Sequence, residues 1–470
     1  ASRGWRPAVH VGGEAAPEVG VRASAGRQRL GWHADDARRW NEEDTSDRDV
    51  VWSAKVAALR TVFHQPRPAR RERSFTAFCE REGQGLLDFA TWCALAEKHG
   101  LPWGQWPAEL HDPRGAAVEA LRDQIADDVE FYRWLQWIVD EQLATVQRQS
   151  KDSGMSLGVF HDLAVGVHPE GADAWGLADA LARKVTVGAP PDQYNQLGQD
   201  WSQPPWRPDR LEELGYAPYR DMLRSVLRHA GGIRIDHVIG LFRLWWVPNG
   251  QIAKEGTYVR YDHEALISIL VLEAHRAGAL VIGEDLGVVE PWVRDYLRER
   301  GILGTSILWF ENDPQGKPLP AEAYRELCLA TVTTHDLPPT AGYLAGEHID
   351  LREDLGLLTR PVEQERELAD AARQQVLDML VERGLLRAGA QETEVVEALH
   401  RFLSWTPAKL LGVAVPDLTG DHRVMNQPGT DEEYPNWRLP LAGPDGRPVL
   451  LEDLMKSHWA RRLARCVAQR

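Results

Sequence analysis

Two charged residues alternate with isoleucines in the run Gly231-Gly232-Ile233-Arg234-Ile235-Asp236-His237. The alternation is typical of a short strand, and the two glycines indicate a turn before it. A charge buried in a strand is costly unless it is paired. We therefore expect Arg234 to lower the pKa of Asp236 by about 1–3 units, which would keep that carboxylate ionised as a candidate nucleophile. For these two residues alone, an ordinary structural ion pair is the simpler interpretation.

Two further acidic residues come at the ends of predicted strands. Glu284 ends an apolar run, so partial desolvation should raise its pKa towards the range of a general acid. Asp336 precedes a stiff Pro-Pro turn and could hold sugar hydroxyls together with His335. Two carboxylates about 5–5.5 Å apart perform retaining glycosyl transfer, and Asp236 and Glu284 suit those roles. Any one of these acids could instead be a helix cap or an ion-pair partner.

The elements that must position these residues alternate between strands and helices after residue 150. The predicted strands span 156–160, 232–236, 280–284, 305–310, 328–333 and 411–415. The predicted helices between them span 211–228, 264–277, 291–300, 362–383 and 394–405. This alternation predicts a parallel sheet. Because polar residues cluster after the strands, where a (β/α)8 TIM barrel carries its active site, we predict an α/β fold of that type. An open doubly wound sheet is the alternative, weakened by the absence of a Gly-rich phosphate-binding motif.

Three regions are predicted along the chain. Residues 1–45 lack periodicity and are left unassigned, as loop, disorder or a non-native start, with 8–11 the one weak strand. Residues 46–150 predict a mainly helical insertion, with short helices near 75–78 and 86–95 and one long helix over 118–146. Residues 151–470 would form the catalytic barrel with groove-forming insertions. Six barrel strands can be placed, whereas a closed barrel of this type needs eight. Either two strands escape detection or the chain lacks its start.

The composition excludes several classes of protein. The 470 residues carry a net charge of −16, which argues against a nucleic-acid partner because such proteins need a surplus of Lys and Arg. No apolar run reaches about 18 residues and no signal segment is recognisable, so we expect no membrane partner and a cytoplasmic location. The four cysteines are far apart and are expected to be reduced core thiols rather than metal ligands.

Several motifs together carry a resemblance to a known family. The segments Arg234-Ile235-Asp236-His237, Ile282-Gly283-Glu284-Asp285-Leu286-Gly287 and Thr334-His335-Asp336 resemble the three catalytic segments of the amylomaltases. These are 4-α-glucanotransferases of glycoside hydrolase family 77, in the α-amylase clan. Further similar segments lie at 161–167, 188–192, 198–201, 204–205, 426–430 and 435–438. The resemblance covers roughly residue 46 to the C-terminus, and motifs in this number and order are specific.

The resemblance implies a double displacement on α-1,4-glucans. Asp236 would be the nucleophile and Glu284 the acid and then the base, while Asp336 would hold hydroxyls of the distorted sugar. It further implies substrate-binding roles, which fall on Arg234, His335, Asp162, His237, Gln199 and Trp201. The substrates would be maltooligosaccharides or other α-1,4-glucans. We expect no metal or organic cofactor and a monomeric protein.

The sequence departs from the family at its start. Family members carry an N-terminal barrel segment, with two strands and a Ser-Pro-Tyr loop, that is not found here. This agrees with the count of six strands, and we expect a truncated chain of reduced activity. An α-glucan hydrolase of the same clan and an inactive glucan-binding fragment are the alternatives. A hydrolase would release glucose from maltotriose without forming longer products, and a binding protein would keep its affinity after Asp236→Asn.

Overall fold

A computed structural model describes residues 40, 43–191, 197–287 and 289–468. The predicted strand at 8–11 lies outside the described residues. The chain divides into two compact units, of which the first contains the described residues 48–191 and 197–284. The second contains the described residues 40, 43–47 and 285–468. Within the described residues, no helix combines the length and apolar character needed to cross a membrane.

The first unit begins with a helical block. Its helices are α1 (Arg48–Phe63), α2 (Ala69–His99), α3 (Ala116–Gln124) and α4 (Ala126–Asp152). Trp134 and Trp137 of α4 are buried in the core of this block, as their helical spacing predicts. The two short helices predicted near 75–78 and 86–95 are the two stretches of α2, which meet at Gly83 with φ 57°.

The prediction of one unbroken helix over 118–146 is wrong. The helical path stops at Ile125, whose φ of −114° and ψ of 25° lie outside the helical range, and resumes as α4. The apolar spacing runs through this break, because Ile125 and Val129 are both buried in the core of the block. A periodic apolar pattern therefore could not reveal it.

Among the described residues of the first unit, seven strands follow the helical block. They are β1 (Phe160–Leu163), β2 (Val185–Ala189), β3 (Gln199–Gln203), β4 (Gly232–Ile235), β5 (Arg243–Pro248), β6 (Thr257–Arg260) and β7 (Leu280–Gly283). Strands β1, β4 and β7 form a parallel sheet with β4 in the centre, in agreement with the predicted parallel pairing. Strands β3, β2, β5 and β6 form an antiparallel sheet that the sequence did not predict.

The turn expected before β4 is present at residues 228–229, with a bend at Gly231. The two glycines also serve close packing, and neither adopts a positive φ. A Cβ atom on Gly231 would lie 1.7 Å from the carbonyl oxygen of Leu157, and one on Gly232 would lie 2.0 Å from the Phe160 ring. Any larger residue would therefore push β4 away from Phe160 in β1 and from Leu157, which precedes β1.

Strand β1 lies later than predicted. The segment 156–160 was expected as a strand, but its backbone groups bind the side chain of Gln147 in α4. Gln147 accepts a hydrogen bond from the Val159 amide at 2.7 Å and donates one to the Leu157 carbonyl at 3.1 Å. The strand begins only at Phe160, so Asp162 lies within β1 and not after it.

The helices after the helical block in the first unit are α5 (Ala172–Gly176), α6 (Pro208–Glu213), α7 (Ala217–Leu227) and α8 (His263–Ala277). The predicted helix 211–228 is divided between α6 and α7, because Tyr216 adopts a left-handed conformation with φ 57°. Helix α8 agrees with its prediction, and Asp262 caps it by accepting a hydrogen bond from the Ala265 amide at 3.0 Å.

The second unit contains a parallel sheet of β8 (Gly304–Ile307), β9 (Cys328–Thr331) and β10 (Leu410–Gly412), with β9 in the centre. All three strands are shorter than predicted, and a 3-10 helix over Leu308–Phe310 replaces the predicted end of β8. Its helices are α9 (Pro291–Glu299), α10 (Thr340–Ala345), α11 (Glu347–Asp354), α12 (Val362–Glu382), α13 (Glu392–Ser404), α14 (Leu451–Leu454) and α15 (His458–Ala468).

The four cysteines are unpaired, as expected. Cys79, Cys328 and Cys466 are buried and Cys93 is partly buried. Burial raises the pKa of the Cys328 and Cys466 thiols.

Candidate active site

The guanidinium of Arg234 bridges two carboxylates in the first unit. Asp162 in β1 stands opposite Arg234 in the register of β1 and β4. One guanidinium nitrogen, Nη1, lies 2.8 and 3.0 Å from the two carboxylate oxygens of Asp162 and 3.1 Å from Oδ1 of Asp236. Burial disfavours a charged arginine, but the two carboxylates outweigh it and raise the pKa of Arg234. The predicted ion pair of Arg234 with Asp236 is therefore present, and Arg234 forms a second ion pair with Asp162.

Glu284 directly follows β7, and hydrogen bonds hold it to the end of β4 and to the residues just after β4. Its backbone amide donates to the Ile235 carbonyl at 2.9 Å, and its own carbonyl accepts from the Val238 amide at 3.0 Å. Its carboxylate accepts a hydrogen bond from the His237 amide, with 2.9 Å between N and Oε2. The Glu284 side chain is 12% exposed, against 34% for Asp236. The more enclosed carboxylate is thus the one predicted from its position in the chain to be the acid/base.

His237 adopts a backbone conformation that is unusual for a residue with a side chain. Its φ of 48° and ψ of 58° are left-handed, and this geometry turns its amide towards Glu284. Burial lowers the pKa of His237 to about 4, so the imidazole is neutral at pH 7. A small cavity of about 50 Å³ adjoins His237 and Asp236.

Two residues of β3 complete this part of the site. The Trp201 ring meets the His237 ring edge to face, with 5.2 Å between centroids. The Trp201 indole nitrogen donates to Oε1 of Gln199 at 3.0 Å, which fixes the orientation of both side chains. The structure therefore brings together all of the predicted site residues that belong to the first unit.

The remaining predicted residues, His335 and Asp336, belong to the second unit. Asn426 donates a hydrogen bond to Oδ1 of Asp336 at 2.7 Å, and Nε2 of His335 lies 3.2 Å from the other carboxylate oxygen. The His335 ring packs against the Trp437 indole, with 5.0 Å between centroids. Asp336 is thus oriented from both sides.

The turn after Asp336 is fixed by buried polar contacts. The Thr333 hydroxyl donates to the Pro338 carbonyl at 2.7 Å. Beyond the two prolines, Thr340 begins α10, and the buried Asp417 carboxylate accepts bonds from its amide at 2.8 Å and from its hydroxyl at 2.6 Å. The predicted stiffness of the Pro-Pro turn is therefore reinforced by a carboxylate 77 positions further along the chain.

Three residues that adjoin the site were given no role by sequence reasoning. Asn426 and Trp437 lie in segments that resemble the family, but only their contacts with Asp336 and His335 indicate what they do. Asp285 is buried and accepts from the Thr305 amide at 2.8 Å, and it is also paired with Arg325. Asp285 also lies in a segment that resembles the family, directly after Glu284, but only its contacts show what it does.

The arrangement has the parts that retaining glycosyl transfer needs. One carboxylate is paired with an arginine and another is more enclosed, and they follow neighbouring parallel strands whose spacing is about 4.8 Å. Within the described part of the chain, no group of three or more His, Cys, Asp or Glu side chains could hold a metal ion.

Comparison with known proteins identifies the family. The sequence model of glycoside hydrolase family 77, described as 4-alpha-glucanotransferase, matches residues 20–444. The chain belongs to glycoside hydrolase family 77. The resemblance found in the catalytic segments is therefore confirmed, and it extends over most of the chain.

Relatives within family 77 agree with this assignment. A 4-alpha-glucanotransferase of Mycobacterium tuberculosis is 59% identical over 97% of this chain and 63% of the relative. The crystal structure of an amylomaltase from Corynebacterium glutamicum is 46% identical with a TM-score of 0.90, over 99% of this chain and 66% of the other. An amylomaltase from Streptococcus agalactiae, 17% identical with a TM-score of 0.77 over 99% of this chain and 86% of the other, shares the fold. The chain spans about 63% of the length of the Mycobacterium relative.

Proposed function

We propose that this chain is a 4-α-glucanotransferase that moves segments of α-1,4-glucans by a retaining double displacement. One observation carries the proposal: in a family 77 chain, Asp236 and Glu284 directly follow the hydrogen-bonded parallel strands β4 and β7. The backbones that carry these two side chains lie about 4.8 Å apart, and retaining enzymes hold their carboxylates about 5–5.5 Å apart. Inverting enzymes need about 6.5–9.5 Å to admit a water molecule.

The first half of the reaction cleaves the donor glucan. Asp236 attacks the anomeric carbon, and the bond from that carbon to the leaving 4-oxygen breaks. Glu284 gives its proton to the leaving oxygen, and a β-linked glucosyl ester remains on Asp236. Arg234 holds the attacking carboxylate ionised and aims it through the 3.1 Å contact.

The second half transfers the glucosyl segment to an acceptor glucan. Glu284, now a carboxylate, takes the proton from the acceptor 4-hydroxyl, and that oxygen displaces Asp236 from the anomeric carbon. The hydrogen bond from the His237 amide keeps the Glu284 carboxylate in place between the two halves. Asp336 and His335 would hold hydroxyls of the reacting sugar, and Gln199 and Trp201 would form part of the glucan groove.

We also propose that the strands of the two parallel sheets belong to a (β/α)8 barrel, with residues 46–150 as a helical insertion. Two features support this: every pair within these sheets is parallel, and the candidate residues follow the carboxyl ends of strands or face one another within them. The similarity to the amylomaltase structures supports the same architecture.

Product analysis after incubation with maltotriose tests the proposed activity. A transferase yields glucose together with longer maltooligosaccharides, whereas a hydrolase yields glucose and maltose alone. We expect Asp236→Asn to abolish both kinds of product. The control Asp221→Asn, which removes an exposed carboxylate paired with Arg220 on α7, should leave the product ladder unchanged.

Covalent trapping tests the assignment of the nucleophile. A 5-fluoro-α-glucosyl fluoride should label the peptide that contains Asp236, and mass spectrometry should find one sugar unit on that side chain. Label on another carboxylate would move the nucleophile elsewhere. Folded protein that gives neither products nor an adduct would contradict the proposal for this chain.

A further inference from the structure

Helix α15 carries a charge pattern that is unfavourable for an isolated helix. It has no acidic residue in its first turn and contains Arg461, Arg462 and Arg465. Arg461, at the end of the first turn, opposes the helix dipole, whereas the dipole favours Arg465 in the last turn. Like charges three or four positions apart, as in Arg461 with Arg465 and Arg462 with Arg465, repel each other. This concentration of positive charge occurs in a chain with a net charge of −16.

These arginines line an open cavity of about 380 Å³, which we name the α13–α15 cavity. Helix α13 contributes Arg401 and Glu397 to its wall, and α15 contributes the three arginines and His458. Four guanidinium groups therefore face one carboxylate. The arginines and the glutamate together give the lining a formal net charge of +3.

The single carboxylate already forms ion pairs with two of the four arginines. Glu397 is buried and lies 3.0 Å from Nη2 of Arg401 and 2.5 Å from Nη2 of Arg462, and it also accepts from the Cys466 thiol at 3.2 Å. Arg461 donates to the Met455 carbonyl at 3.1 Å. Among the described residues, neither Arg461 nor Arg465 is paired with a carboxylate.

We propose that the α13–α15 cavity binds a small anion that carries phosphate groups. A planar guanidinium matches phosphate oxygens two at a time, so several arginines around one cavity suit a ligand with more than one negative charge. A volume of about 380 Å³ is within the usual range of about 300–1,000 Å³ for small-molecule sites and leaves room for an organic part. The repulsion within α15 is then balanced by the ligand. The cavity shares no residue with the candidate active site, so the proposal stands apart from the glucanotransferase assignment.

Calorimetric titration of the 470-residue chain tests the proposal. The probes are inorganic pyrophosphate, glucose 1-phosphate and glucose, at an ionic strength of about 0.15 M so that general counterion attraction is screened. We expect saturable binding of a phosphorylated probe and none of glucose. Preference between the first two probes shows whether the organic part contributes.

The double variant Arg461→Gln with Arg465→Gln spares the ion pairs of Glu397. It should bind the probes at least about tenfold more weakly, because each lost contact is a charge-assisted hydrogen bond. The control, Arg298→Gln with Arg447→Gln, removes two exposed arginines of the same unit and should bind as the unchanged chain does. The absence of saturable binding at millimolar probe, or an equal loss in the control, overturns the proposal.

Thermal unfolding without ligand provides a second readout. If these arginines are present for a ligand, removing their repulsion should raise the midpoint of the double variant by roughly one to two degrees. Pyrophosphate should raise the midpoint of the unchanged chain and not that of the variant. A variant that is less stable than the unchanged chain would show that the arginines support the fold, and that result also overturns the proposal.

Discussion

Trp437 combines two features that should each cost stability, and this combination predicts how its substitutions behave. The residue is 52% exposed, and its backbone is left-handed with φ 59°. Its amide donates to the Met425 carbonyl at 2.9 Å, and its ring packs against His335. A bulky residue with positive φ is a genuine outlier, and such strain persists where surrounding contacts hold it. We therefore expect Trp437 to serve the site at the expense of stability.

The size of the effect follows from comparing two truncations at this position. A left-handed conformation costs a residue with a Cβ atom roughly 1–2 kcal/mol, and glycine escapes that cost. Glycine in turn loses about 0.5–1 kcal/mol more than alanine in conformational entropy on folding. Both variants lack the indole, so Trp437→Gly should be more stable than Trp437→Ala by about 0.5–1 kcal/mol.

Both truncations should reduce activity to a similar extent. Loss of an aromatic contact is worth about 0.5–1.5 kcal/mol, so kcat/KM on maltotriose should fall about 2- to 10-fold, whereas Trp437→Phe should keep most of it. Urea unfolding followed by circular dichroism measures stability, and product release measures activity. A glycine variant no more stable than the alanine variant would refute the strain argument. A fully active glycine variant would refute the role of the ring.

Substitutions at three further positions have definite expected outcomes. Hydrogen bonds from a neighbouring histidine and arginine outweigh burial and lower the pKa of Asp140 from 3.8 to about 2. Asp140→Asn should therefore lower the free energy of unfolding by about 2 kcal/mol at pH 7. This deficit should shrink as the pH falls from about 4 towards 2. Urea titrations at pH 3 that show an undiminished deficit would contradict the argument. Two glutamates outweigh burial and raise the pKa of His422, so its stabilisation is complete below its ordinary pKa of 6.5 and is lost as the pH rises through the raised value. Thermal midpoints should accordingly fall more for the unchanged chain than for His422→Gln between pH 6 and pH 8, and equal falls would argue against this. Asn426→Ala should reduce kcat/KM about 10- to 100-fold because it removes a hydrogen bond to the Asp336 carboxylate. Asn426→Asp should reduce kcat/KM further through charge repulsion with Asp336. An active aspartate variant would exclude a role of Asn426 in orienting Asp336.

The sequence predicts strands β4 and β7 of the first unit well because their signal is local. Predicted β4 and β7 begin at the observed residues, Gly232 and Leu280, and end one residue too late. Strand β7 is a short run of branched apolar residues that ends in a glycine, which is the pattern of a buried parallel strand, and β4 shows the alternation of isoleucine with a charged residue. The residues that the strands position, Asp236 and Glu284, could therefore be identified from their place in the chain.

Elements that depend on distant contacts were not predictable in the same way. Strand β1 starts late because Gln147, on a helix, binds the backbone that precedes it. The antiparallel sheet was missed because Trp245 and Trp246 interrupt the alternation expected of a half-buried strand. Only the pairing of Trp245 with Tyr258, at 4.9 Å between ring centroids, explains the first of these tryptophans.

The described chain has four residues other than glycine with positive φ, and three of them adjoin candidate site residues. Ser202 follows Trp201, His237 follows Asp236, and Trp437 contacts His335. In each case a specific acceptor holds the strained amide: Oδ1 of Asp200, Oε2 of Glu284 and the Met425 carbonyl, at 2.7, 2.9 and 2.9 Å respectively.

Local propensity disfavours these conformations, so no reading of the sequence at those positions could predict them. There is a physical reason why residues with these strained conformations lie beside the candidate site. A strained amide is retained only where a partner fixes it, and at His237 that partner is the carboxylate proposed as the acid/base. The hydrogen bond that overcomes the strain thus also fixes the position of Glu284, so relieving the strain at His237 would loosen the carboxylate on which the proposed chemistry depends.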